Sequence, residues 1–475
     1  MSETIPTGVP GFDELVGGLP KGGLVILAGG PGTGKTMFSA SFLYWGAVKY
    51  GEKGMYVSLS EDKTTFMANM RKIGLDFEKL EKDGLFKFVD ALTLMESGTS
   101  PLFETILEDA MTFQAQRLVI DSLTALAQGF KSSRELRVFL HTLLSRIMKN
   151  MGCTTILIEE VPLGREWIGY GFEEFVASTV ILLEILTMED KLLRRLHIAK
   201  MRGAKILNPK ACFTLAEGFK AYPPFKFRKP ESLKPYQVLP DPPERHSTGI
   251  PDLDKIIGGY PKSSTILLEI SPKLSREDYQ ILIAPTIINS VLKGKPVVII
   301  PPIGAGPDDL GRVCDLYGVP QEKRETLLRV FLRKELLEGR KILKYQVPYE
   351  RKTLEEDMSS ILSVAENLIK SSENPLVQVL AIDTVGMYHG QLGVLRAAQE
   401  SITLCKRTGG FALWVAESTF PDLLQKLSPL ASMHFKLTGK HGCLLFYGIK
   451  PRTPLIAIEE DLTKGYPLPK LTPIL

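Results

Sequence analysis

The stretch "VILAGGPGTGKTM", Val25 to Met37, decides the fold of the amino-terminal half of the chain. An apolar run, a glycine-rich turn and a segment of helical period follow one another in it. Gly29 to Thr36 satisfies the pattern G-x-x-x-x-G-K-[ST], which cradles phosphate where it joins a strand to a helix. Because both flanks have the required character, the stretch predicts a phosphate-binding loop in an α/β domain.

Each residue type in this loop has a chemical reason to be there. Glycines let backbone N–H groups curl around phosphate oxygens, and the positive end of the following helix dipole favours the same anion. Lys35 would bridge the terminal phosphates of ATP, and the Thr36 hydroxyl would bind Mg²⁺. The predicted nucleotide-binding residues are Gly30, Pro31, Gly32, Thr33, Gly34, Lys35, Thr36 and Met37.

Two carboxylates are candidates for holding the metal and activating water. Asp121 ends the apolar run "RLVID", at the edge of the sheet where ligands bind in open α/β folds, and we predict that it binds the metal rather than merely capping a helix. Glu61 follows the apolar run from Met55 to Leu59, a strand expected to flank that of the phosphate loop. We predict Glu61 as the catalytic base, with Asp62 as its rival.

A pair of cations follows much later in the chain. In "AKMRGA", Lys200 and Arg202 are two positions apart, so on a strand they point to the same face. Paired cations suit the stabilisation of charge on a transferring γ-phosphoryl group, commonly across a subunit boundary. A solvated basic strand is the alternative interpretation.

Length and composition indicate a two-domain protein of ordinary type. A chain of 475 residues is too long for one hydrophobic core. A net charge of +4 neither requires nor excludes a nucleic-acid or membrane partner. The longest apolar stretch, Val176 to Met188, is interrupted by Glu184 and is shorter than the roughly 20 residues that span a bilayer. Since no signal peptide is visible, we expect a cytoplasmic protein without a membrane partner.

Apolar runs alternate with segments of helical period, as in a mostly parallel sheet flanked by helices. The predicted strands of the first half are Leu24 to Ala28, Met55 to Leu59, Leu85 to Val89, Leu118 to Ile120 and Thr154 to Ile158. Two later runs, Thr179 to Ile185 and Arg195 to Lys200, have no helix between them and are expected to extend the sheet in antiparallel fashion.

A repeat divides the chain. "TGVPGFDELVGGLPK", from Thr7, returns as "TGIPDLDKIIGGYPK", from Thr248, without a gap. Between the copies lies the proline-rich text "AYPPFKFRKPESLKPYQVLPDPPERH", which predicts an extended and fairly stiff connector. We therefore predict an α/β domain over 1–222, a linker over 223–246 and a second α/β domain over 247–475.

The second copy omits the phosphate loop. Counted from the repeat, Gly29, Gly32, Gly34, Lys35 and Thr36 correspond to Ile270, Lys273, Ser275, Arg276 and Glu277. Side chains thus stand where backbone must approach phosphate, and Glu277 would bring negative charge to the triphosphate. Asp383 is retained at the predicted end of a strand, and Lys450 and Arg452 keep the spacing of the basic pair. We predict that the second domain keeps the fold and has lost ATP chemistry.

The first half resembles the KaiC branch of the RecA-superfamily ATPases. The matching stretches are "TGVPGFDELVGGLPKG", "YGFEEFVASTVILL" and "RRLHIAKMRG". The resemblance implies tandem RecA-like P-loop domains and a hexameric ring with ATP between subunits, where Lys200 and Arg202 would reach the neighbour's γ-phosphate. Members usually carry two adjacent acids at the hydrolytic position. Here Ser60 precedes Glu61, which predicts slow hydrolysis.

The leading hypothesis is a slow ATPase that acts as an oligomeric switch or scaffold, with an inert second domain that meets an unknown protein partner. The second hypothesis is a nucleic-acid-stimulated ATPase of the RadA or DnaB type in DNA repair or recombination. It rests on Arg165, Trp167 and Tyr170 in "PLGREWIGYG", although packing within a ring is the favoured interpretation of these residues. An autophosphorylating kinase is a third hypothesis, which the loss of the second phosphate loop disfavours.

Overall fold

The computed structural model describes residues 3–91, 99–128, 130, 132–143, 151–162, 164, 176–350 and 353–475. Contacts divide the chain into two compact units. Unit 1 comprises Met1–Pro224 with Lys440–Cys443 and Thr472–Leu475, and unit 2 comprises Phe225–Gly439 with Leu444–Leu471. Within the described ranges, no helix is long and apolar enough to cross a membrane.

Unit 1 is built on one nine-stranded sheet with helices on both faces. Its strands are β1 (Thr4–Ile5), β2 (Leu19–Pro20), β3 (Leu24–Gly29), β4 (Gly54–Ser58), β5 (Phe86–Asp90), β6 (Arg117–Asp121), β7 (Thr154–Glu160), β8 (Thr179–Met188), β9 (Lys191–Met201), β10 (Lys210–Thr214) and β11 (Lys220–Tyr222). Its helices are α1 (Phe12–Val16), α2 (Lys35–Tyr50), α3 (Lys63–Lys72), α4 (Phe77–Lys82), α5 (Thr99–Phe113), α6 (Leu123–Gln128) and α7 (Ser133–Leu143).

The main sheet of unit 1 places β3 near its centre. The strand order is β11-β10-β9-β8-β3-β7-β6-β4-β5, and β1 pairs separately with β2. All six residues of β3 are buried, and they alternate between two faces. Val25 and Leu27 join one apolar cluster, whereas Leu24 and Ile26 join another. A strand covered on both sides must be apolar throughout, which is why the sequence reads as a continuous run there.

Two predictions about this sheet need correction. The run from Thr179 lies parallel to β3, and the predicted antiparallel pairing begins only with β9 beside β8, from which β10 and β11 continue it. The strand before Glu61, β4, does not flank β3, because β7 and β6 lie between them. Crossover helices allow parallel strands to skip neighbours, so sequence order alone does not fix strand order.

Unit 2 has a ten-stranded sheet of the same mostly parallel kind. Its strands are β12 (Arg245–His246), β13 (Tyr260–Pro261), β14 (Ser264–Ile270), β15 (Val297–Ile300), β16 (Leu328–Arg333), β17 (Gln346–Tyr349), β18 (Val377–Ala381), β19 (Phe411–Glu417), β20 (Met433–Lys440), β21 (Cys443–Lys450), β22 (Ile456–Asp461) and β23 (Leu468–Pro473). Its helices are α8 (Pro251–Ile257), α9 (Arg276–Leu292), α10 (Asp309–Leu316), α11 (Gln321–Leu327), α12 (Leu354–Ser372), α13 (Ile382–Thr408) and α14 (Pro421–Leu427), with a 3₁₀ turn at Lys334–Leu336.

The order of the second sheet is β17-β16-β15-β18-β19-β14-β20-β21-β22-β23, and β12 pairs separately with β13. From β17 to β20 each strand is parallel to its neighbour. Two mostly parallel sheets, each flanked by helices, confirm the predicted α/β class for both halves of the chain. The predicted position of Asp383 at the end of a strand is wrong. β18 ends at Ala381 and α13 begins at Ile382, so Asp383 lies in a first helical turn.

The proline-rich segment is extended and is anchored on unit 2. Tyr236 is 5% exposed, and its hydroxyl donates to the Gly249 carbonyl at 2.5 Å. The backbone N–H of Arg228 donates to both carboxylate oxygens of Glu460 at 3.1 and 2.9 Å. Prolines leave few backbone donors to satisfy, so a handful of such contacts holds the segment in place.

Candidate nucleotide-binding site

The predicted phosphate loop joins the end of β3 to the start of α2. Gly32 has φ 70° and Gly34 has φ 95°, so both occupy the left-handed region that favours glycine. A Cβ on Gly34 would lie 2.8 Å from a methyl group of Leu215, so a larger residue would also require that side chain to move. Inside the loop, the Thr33 hydroxyl donates to the Gly30 carbonyl at 2.8 Å. These features fix the curl that the motif requires.

The amino terminus of α2 is free to accept an anion. Gly34 occupies the cap position and has no side chain that could bind the first-turn N–H groups. Those donors and the helix dipole act at the same point, which makes a helix of 16 residues a ready anion site when glycines precede it.

Lys35 lies across this loop. Its Nζ donates to the carbonyls of Gly29 and Gly30, both at 2.8 Å. Burial lowers the pKa of Lys35, while the nearby carboxylates of Glu160 and Asp121 act in the opposite direction. A half-buried ammonium beside backbone donors is the arrangement expected of a group that bridges phosphate oxygens.

Asp121 lies within hydrogen-bonding distance of Thr36, the other predicted metal ligand. The carboxylate ends β6 and is 8% exposed, and its Oδ2 accepts from the Thr36 hydroxyl at 3.3 Å and from the Tyr56 hydroxyl at 2.6 Å. Burial raises the pKa of Asp121, and the two hydroxyl donors and Lys35 oppose that rise. The adjoining hydroxyl and carboxylate oxygens are hard ligands and fit Mg²⁺.

This donor set suits a metal that is held mainly by the nucleotide. Among the residues that the structure describes, no group of three or more His, Cys, Asp or Glu side chains could hold a metal ion by itself. Magnesium in phosphoryl-transfer sites uses one or two protein oxygens and takes the rest from phosphates and water. Thr36 and Asp121 would therefore complete the site only when the phosphates are bound.

Glu61 and Asp62 have different surroundings. Glu61 Oε1 accepts from Asn69 Nδ2 at 2.9 Å, and the Ser58 hydroxyl holds the Glu61 backbone by accepting from its N–H at 3.0 Å. Burial raises the pKa of Glu61. Asp62 caps α3 by accepting from Thr65, and these hydrogen bonds lower its pKa. The capping contacts account for Asp62 and leave Glu61 as the stronger candidate base.

Strand pairing brings Glu61 to the metal candidate. Although β4 does not flank β3, it pairs with β6 so that Ser58 lies opposite Asp121. The backbone N–H of Leu59 also donates to the Asp121 carbonyl at 2.6 Å. Glu61 therefore follows the carboxyl end of the strand next to Asp121, at the sheet edge that carries the phosphate loop.

Lys200 and Arg202 lie at the opposite edge of the sheet. Across the sheet, Gly29 at the carboxyl end of β3 is aligned with Leu183 of β8 and, through it, with Leu196 of β9. Lys200 lies four residues beyond Leu196, which is roughly 13 Å along the strand and away from the phosphate loop. Arg202 follows the strand, and its N–H donates to the Ser178 carbonyl at 2.8 Å. The structure thus does not bring this pair to the phosphate loop of its own chain.

Sequence reasoning missed four residues of this region. Tyr56, Asn69, Glu160 and Arg194 touch or face the predicted site residues. Arg194, for example, donates from Nη1 to the Gly32 carbonyl at 2.9 Å. Alternation along β4 places Tyr56 and Ser58 on one face, which was a usable signal for Tyr56. Asn69 and Arg194 depend on packing that periodicity alone does not reveal.

The corresponding turn of unit 2 is closed by side chains. Ser275 caps α9, its hydroxyl accepts from the Asp278 N–H at 3.3 Å, and Asp278 Oδ2 accepts from the Ser275 N–H at 2.7 Å. Arg276 donates to Asp309 at 2.9 Å and to the Gly304 carbonyl at 2.7 Å. The N–H groups of Ser275 and Asp278 and the Arg276 guanidinium are therefore engaged within the protein, and Glu277 adds negative charge beside them.

Comparison with known proteins identifies the family. The model of the KaiC ATPase family matches residues 5–220. A UPF0273 protein of Pyrococcus horikoshii is 35% identical over 219 residues, which make up 43% of this chain and 87% of that protein. The chain belongs to the KaiC-like ATPases. The predicted resemblance is confirmed, and the two sheets fit tandem RecA-like domains.

Two further relatives show how far the likeness extends. The circadian clock oscillator protein KaiC of Synechococcus elongatus is 33% identical over 276 residues, or 55% of this chain and 51% of that protein. This KaiC-like ATPase thus spans about half the length of that relative. A crystal structure of a KaiC-like protein from Pyrococcus horikoshii is 39% identical and covers 47% of this chain and 100% of its own, with a TM-score of 0.42.

Family membership makes this chain a nucleotide-binding ATPase with a P-loop, as predicted, and ATP is the nucleotide that the family's description implies. The segment from Arg165 to Tyr170, on which the nucleic-acid hypothesis rests, lies outside the described residues.

Proposed function

We propose that unit 1 binds ATP with Mg²⁺ and hydrolyses it slowly, and that the nucleotide state switches a homo-oligomer. The proposal rests on a difference between the amino termini of α2 in unit 1 and α9 in unit 2. The amino terminus of α2 follows a glycine cap, whereas that of α9 is closed by the Ser275 and Asp278 capping box. The glycine cap leaves the first-turn donors of α2 to a triphosphate, whereas the capping box of α9 uses the N–H groups of Ser275 and Asp278.

The residues of unit 1 have distinct proposed roles. Backbone N–H groups from Gly30 to Met37 and the Lys35 ammonium would hold the phosphates. Magnesium, when bound through Thr36 and Asp121, neutralises charge that develops on the phosphate oxygens. Tyr56 would orient Asp121 through its 2.6 Å hydrogen bond. Glu61 would take a proton from the attacking water, a task helped by a pKa raised towards neutral pH.

Lys200 and Arg202 are proposed to act on the site of a neighbouring subunit. Their distance from their own phosphate loop supports action across a boundary rather than within one chain. A ring of subunits, six by the family resemblance, would supply that boundary because head-to-tail contacts close into rings. Ser60, where relatives carry another acid, supports a low hydrolytic rate.

Unit 2 is proposed as a catalytically inert RecA-like domain over 247–475, joined to residues 1–222 by the segment 223–246. Its capped helix terminus and its engaged Arg276 support loss of nucleotide chemistry. It would stabilise the oligomer or offer a surface to a protein partner. These roles explain why the fold persists without the loop.

Glu61→Gln tests the catalytic part of this proposal. The amide keeps the shape of the side chain but cannot act as a base, so turnover should fall by 10²-fold or more while equilibrium ATP binding stays within about twofold. Asp62→Asn is the matched control, because an amide oxygen still caps α3. Equal loss in both variants, or unchanged turnover in Glu61→Gln, would remove Glu61 from the mechanism.

The same assay separates the alternatives. Stimulation of ATPase activity by DNA or RNA, with a steep salt dependence, would favour the nucleic-acid hypothesis. Transfer of label from γ-labelled ATP to the protein would favour an autophosphorylating kinase.

A further inference from the structure

Unit 2 contains a cavity that takes no part in the proposed ATP chemistry. It measures about 260 Å³ and is lined by the carboxyl ends of β15, β16 and β17 and by residues of α12 and α13. In open α/β sheets, ligands bind outside the carboxyl ends of the strands. The cavity therefore occupies a functional position in the fold, although the phosphate-loop turn of this unit is closed.

Most of the cavity wall is apolar. Phe331 and Leu332 of β16 line one part of it, and Met358, Ile361 and Val385 line the part formed by the helices. Phe331 and Leu332 are 6% and 3% exposed, so they belong to the interior of the unit. A space of this size and lining suits an organic molecule of roughly 10 to 17 heavy atoms.

One end of the cavity is polar, and its groups contact one another. Asp357 Oδ2 accepts from the Tyr349 hydroxyl at 2.6 Å and lies 2.9 Å from His389 Nε2. The Tyr349 hydroxyl also lies 3.4 Å from His389 Nε2. The side chains of Asp357 and His389 are 5% and 10% exposed. A carboxylate is thus held inside the unit at the wall of an apolar space.

The backbone is shaped to present this cluster. Gly390 interrupts α13 with φ 63° and ψ −170°, directly after His389. A Cβ on Gly393 would lie 2.2 Å from the His389 Cβ, so a glycine is needed where the helix resumes. A continuous helix would not require either glycine, and the interruption sets the position of the imidazole.

The free hydrogen-bonding capacity of the cluster is mainly that of an acceptor. Both contacts of Asp357 within the cluster are made by Oδ2, and a carboxylate accepts at both of its oxygens, which leaves Oδ1 to accept from a ligand. A ligand that matches this end must bring a donor. Arg333 also lines the cavity but pairs with Glu335 at 3.1 Å, so a carboxylate or phosphate placed at this end would meet Asp357 and be repelled.

We propose that the space around Asp357, here called the Asp357 cavity, is a binding site for a small, mostly apolar molecule that carries an N–H donor, such as an aryl amine. The donor would bind Asp357 beside Tyr349, and the ring would lie against Phe331, Met358 and Ile361. This site would add ligand sensing to unit 2 and does not depend on ATP turnover in unit 1.

The full-length chain can be titrated with N-phenyl-1-naphthylamine, whose fluorescence rises in apolar surroundings and which carries one N–H donor. We expect saturable binding with Kd on the order of 10 to 100 µM. Ile361→Trp should fill the cavity and weaken binding at least tenfold. The control is Leu392→Trp on the same helix as His389, at a position that is 74% exposed, and it should leave binding unchanged.

A matched pair of competitors tests the donor. 1-Naphthylamine and 1-methylnaphthalene have nearly the same shape, but only the amine donates a hydrogen bond. The amine should displace the probe at about tenfold lower concentration, because its partner is charged. In Asp357→Asn that preference for the amine should fall to about threefold or less. Thermal unfolding and ATP binding by unit 1 serve as controls that the variant is folded.

Either of two results would overturn the proposal. One is probe binding that Ile361→Trp and Leu392→Trp affect equally, since the probe would then lie elsewhere. The other is a preference for the amine that is absent in the wild-type chain or unchanged in Asp357→Asn, since the carboxylate would then not recognise a donor.

Discussion

Neighbouring carboxylates in unit 1 show how strongly local contacts decide the properties of a residue. Glu61 and Asp62 are adjacent, yet burial raises the pKa of Glu61 and capping hydrogen bonds lower that of Asp62. The sequence favoured Glu61 as the base and kept Asp62 as its rival. The Thr65 contacts to Asp62 favour Glu61, because both carboxylate oxygens of Asp62 already accept hydrogen bonds from Thr65.

The pH dependence of turnover should report this difference. A base must be ionised, so turnover is lost as pH falls through the pKa of Glu61, and a raised pKa places that limb above the ordinary value of about 4.3. The Asn69 hydrogen bond stabilises the ionised form, so Asn69→Ala should move the limb to still higher pH. Asp76→Asn, at the cap of α4, is the control; an equal shift there would contradict the assignment.

Arg117 holds the start of the chain against the sheet. Its guanidinium is 0% exposed, donates to the carbonyls of Pro6, Thr7 and Phe42 at 2.7 Å, and pairs with Glu52 at 2.5 Å. The fork geometry of arginine satisfies these partners together, which a lysine cannot do. The buried acceptors, rather than a gain from charge pairing, explain why the residue must be arginine.

Arg117→Lys should therefore lower the free energy of unfolding by roughly 2 to 4 kcal/mol, because it leaves buried acceptors unpaired. Urea unfolding measures the change. Arg71→Lys, on a side chain that is 69% exposed, should change stability by less than about 0.5 kcal/mol. Equal stability of Arg117→Lys and wild type would show that the carbonyls find other partners.

At the scale of elements, the two helices that follow β3 and β14 differ in their first turn. A glycine precedes α2, and a side-chain capping box closes α9. In the capping box, the side-chain oxygen of Ser275 accepts a hydrogen bond from the helix terminus, as a phosphate oxygen would. The terminus of α9 is therefore stabilised without a bound ligand.

Ser275→Ala should remove the cap and lower the free energy of unfolding by about 1 kcal/mol. Denaturation of the full chain, followed by a probe of unit 2, measures this. ATP affinity should not change, because the cap lies outside unit 1. Ser271→Ala, whose hydroxyl makes a single contact at 3.4 Å to the Lys273 N–H, is the control and should have a smaller effect. A fall in ATP affinity in Ser275→Ala would contradict the separation of roles.

The elements show what the sequence could predict. The phosphate loop, the buried strands and the Asp121 position follow from local pattern, since a motif and its flanks lie within one stretch. The strand order does not, because β4 reaches the site through β6 rather than through β3. Tyr56 and Asn69 were missed for the same reason: each acts through a neighbour that is distant in sequence or follows a turn.

In the whole molecule, Lys200 and Arg202 are the residues through which one subunit would act on the nucleotide site of another. Lys200 and Arg202 lie at the edge of the sheet opposite the phosphate loop, so the proposal places them in a neighbour's site. A subunit with Lys35→Ala lacks a working phosphate loop but keeps Lys200 and Arg202. A subunit with Arg202→Ala keeps the phosphate loop but lacks one of the two cations. Mixing them should restore activity only if the site is shared.

The mixture should regain about a quarter of wild-type turnover, since half of the loops are intact and half of their neighbours supply Arg202. Each variant alone should be nearly inactive. Subunits must exchange before the assay, which unfolding and refolding together ensures. Activity of the mixture no higher than the mean of the separate variants would show that the cations do not act across a boundary.

We propose that this KaiC-like ATPase has two related domains and a single nucleotide site. Calorimetric titration of wild type and Lys35→Ala with ATP and Mg²⁺ counts the bound nucleotides. We predict one ATP bound per chain in wild type and none in Lys35→Ala at the same concentrations. Two bound nucleotides per chain, or one that persists in Lys35→Ala, would contradict the account.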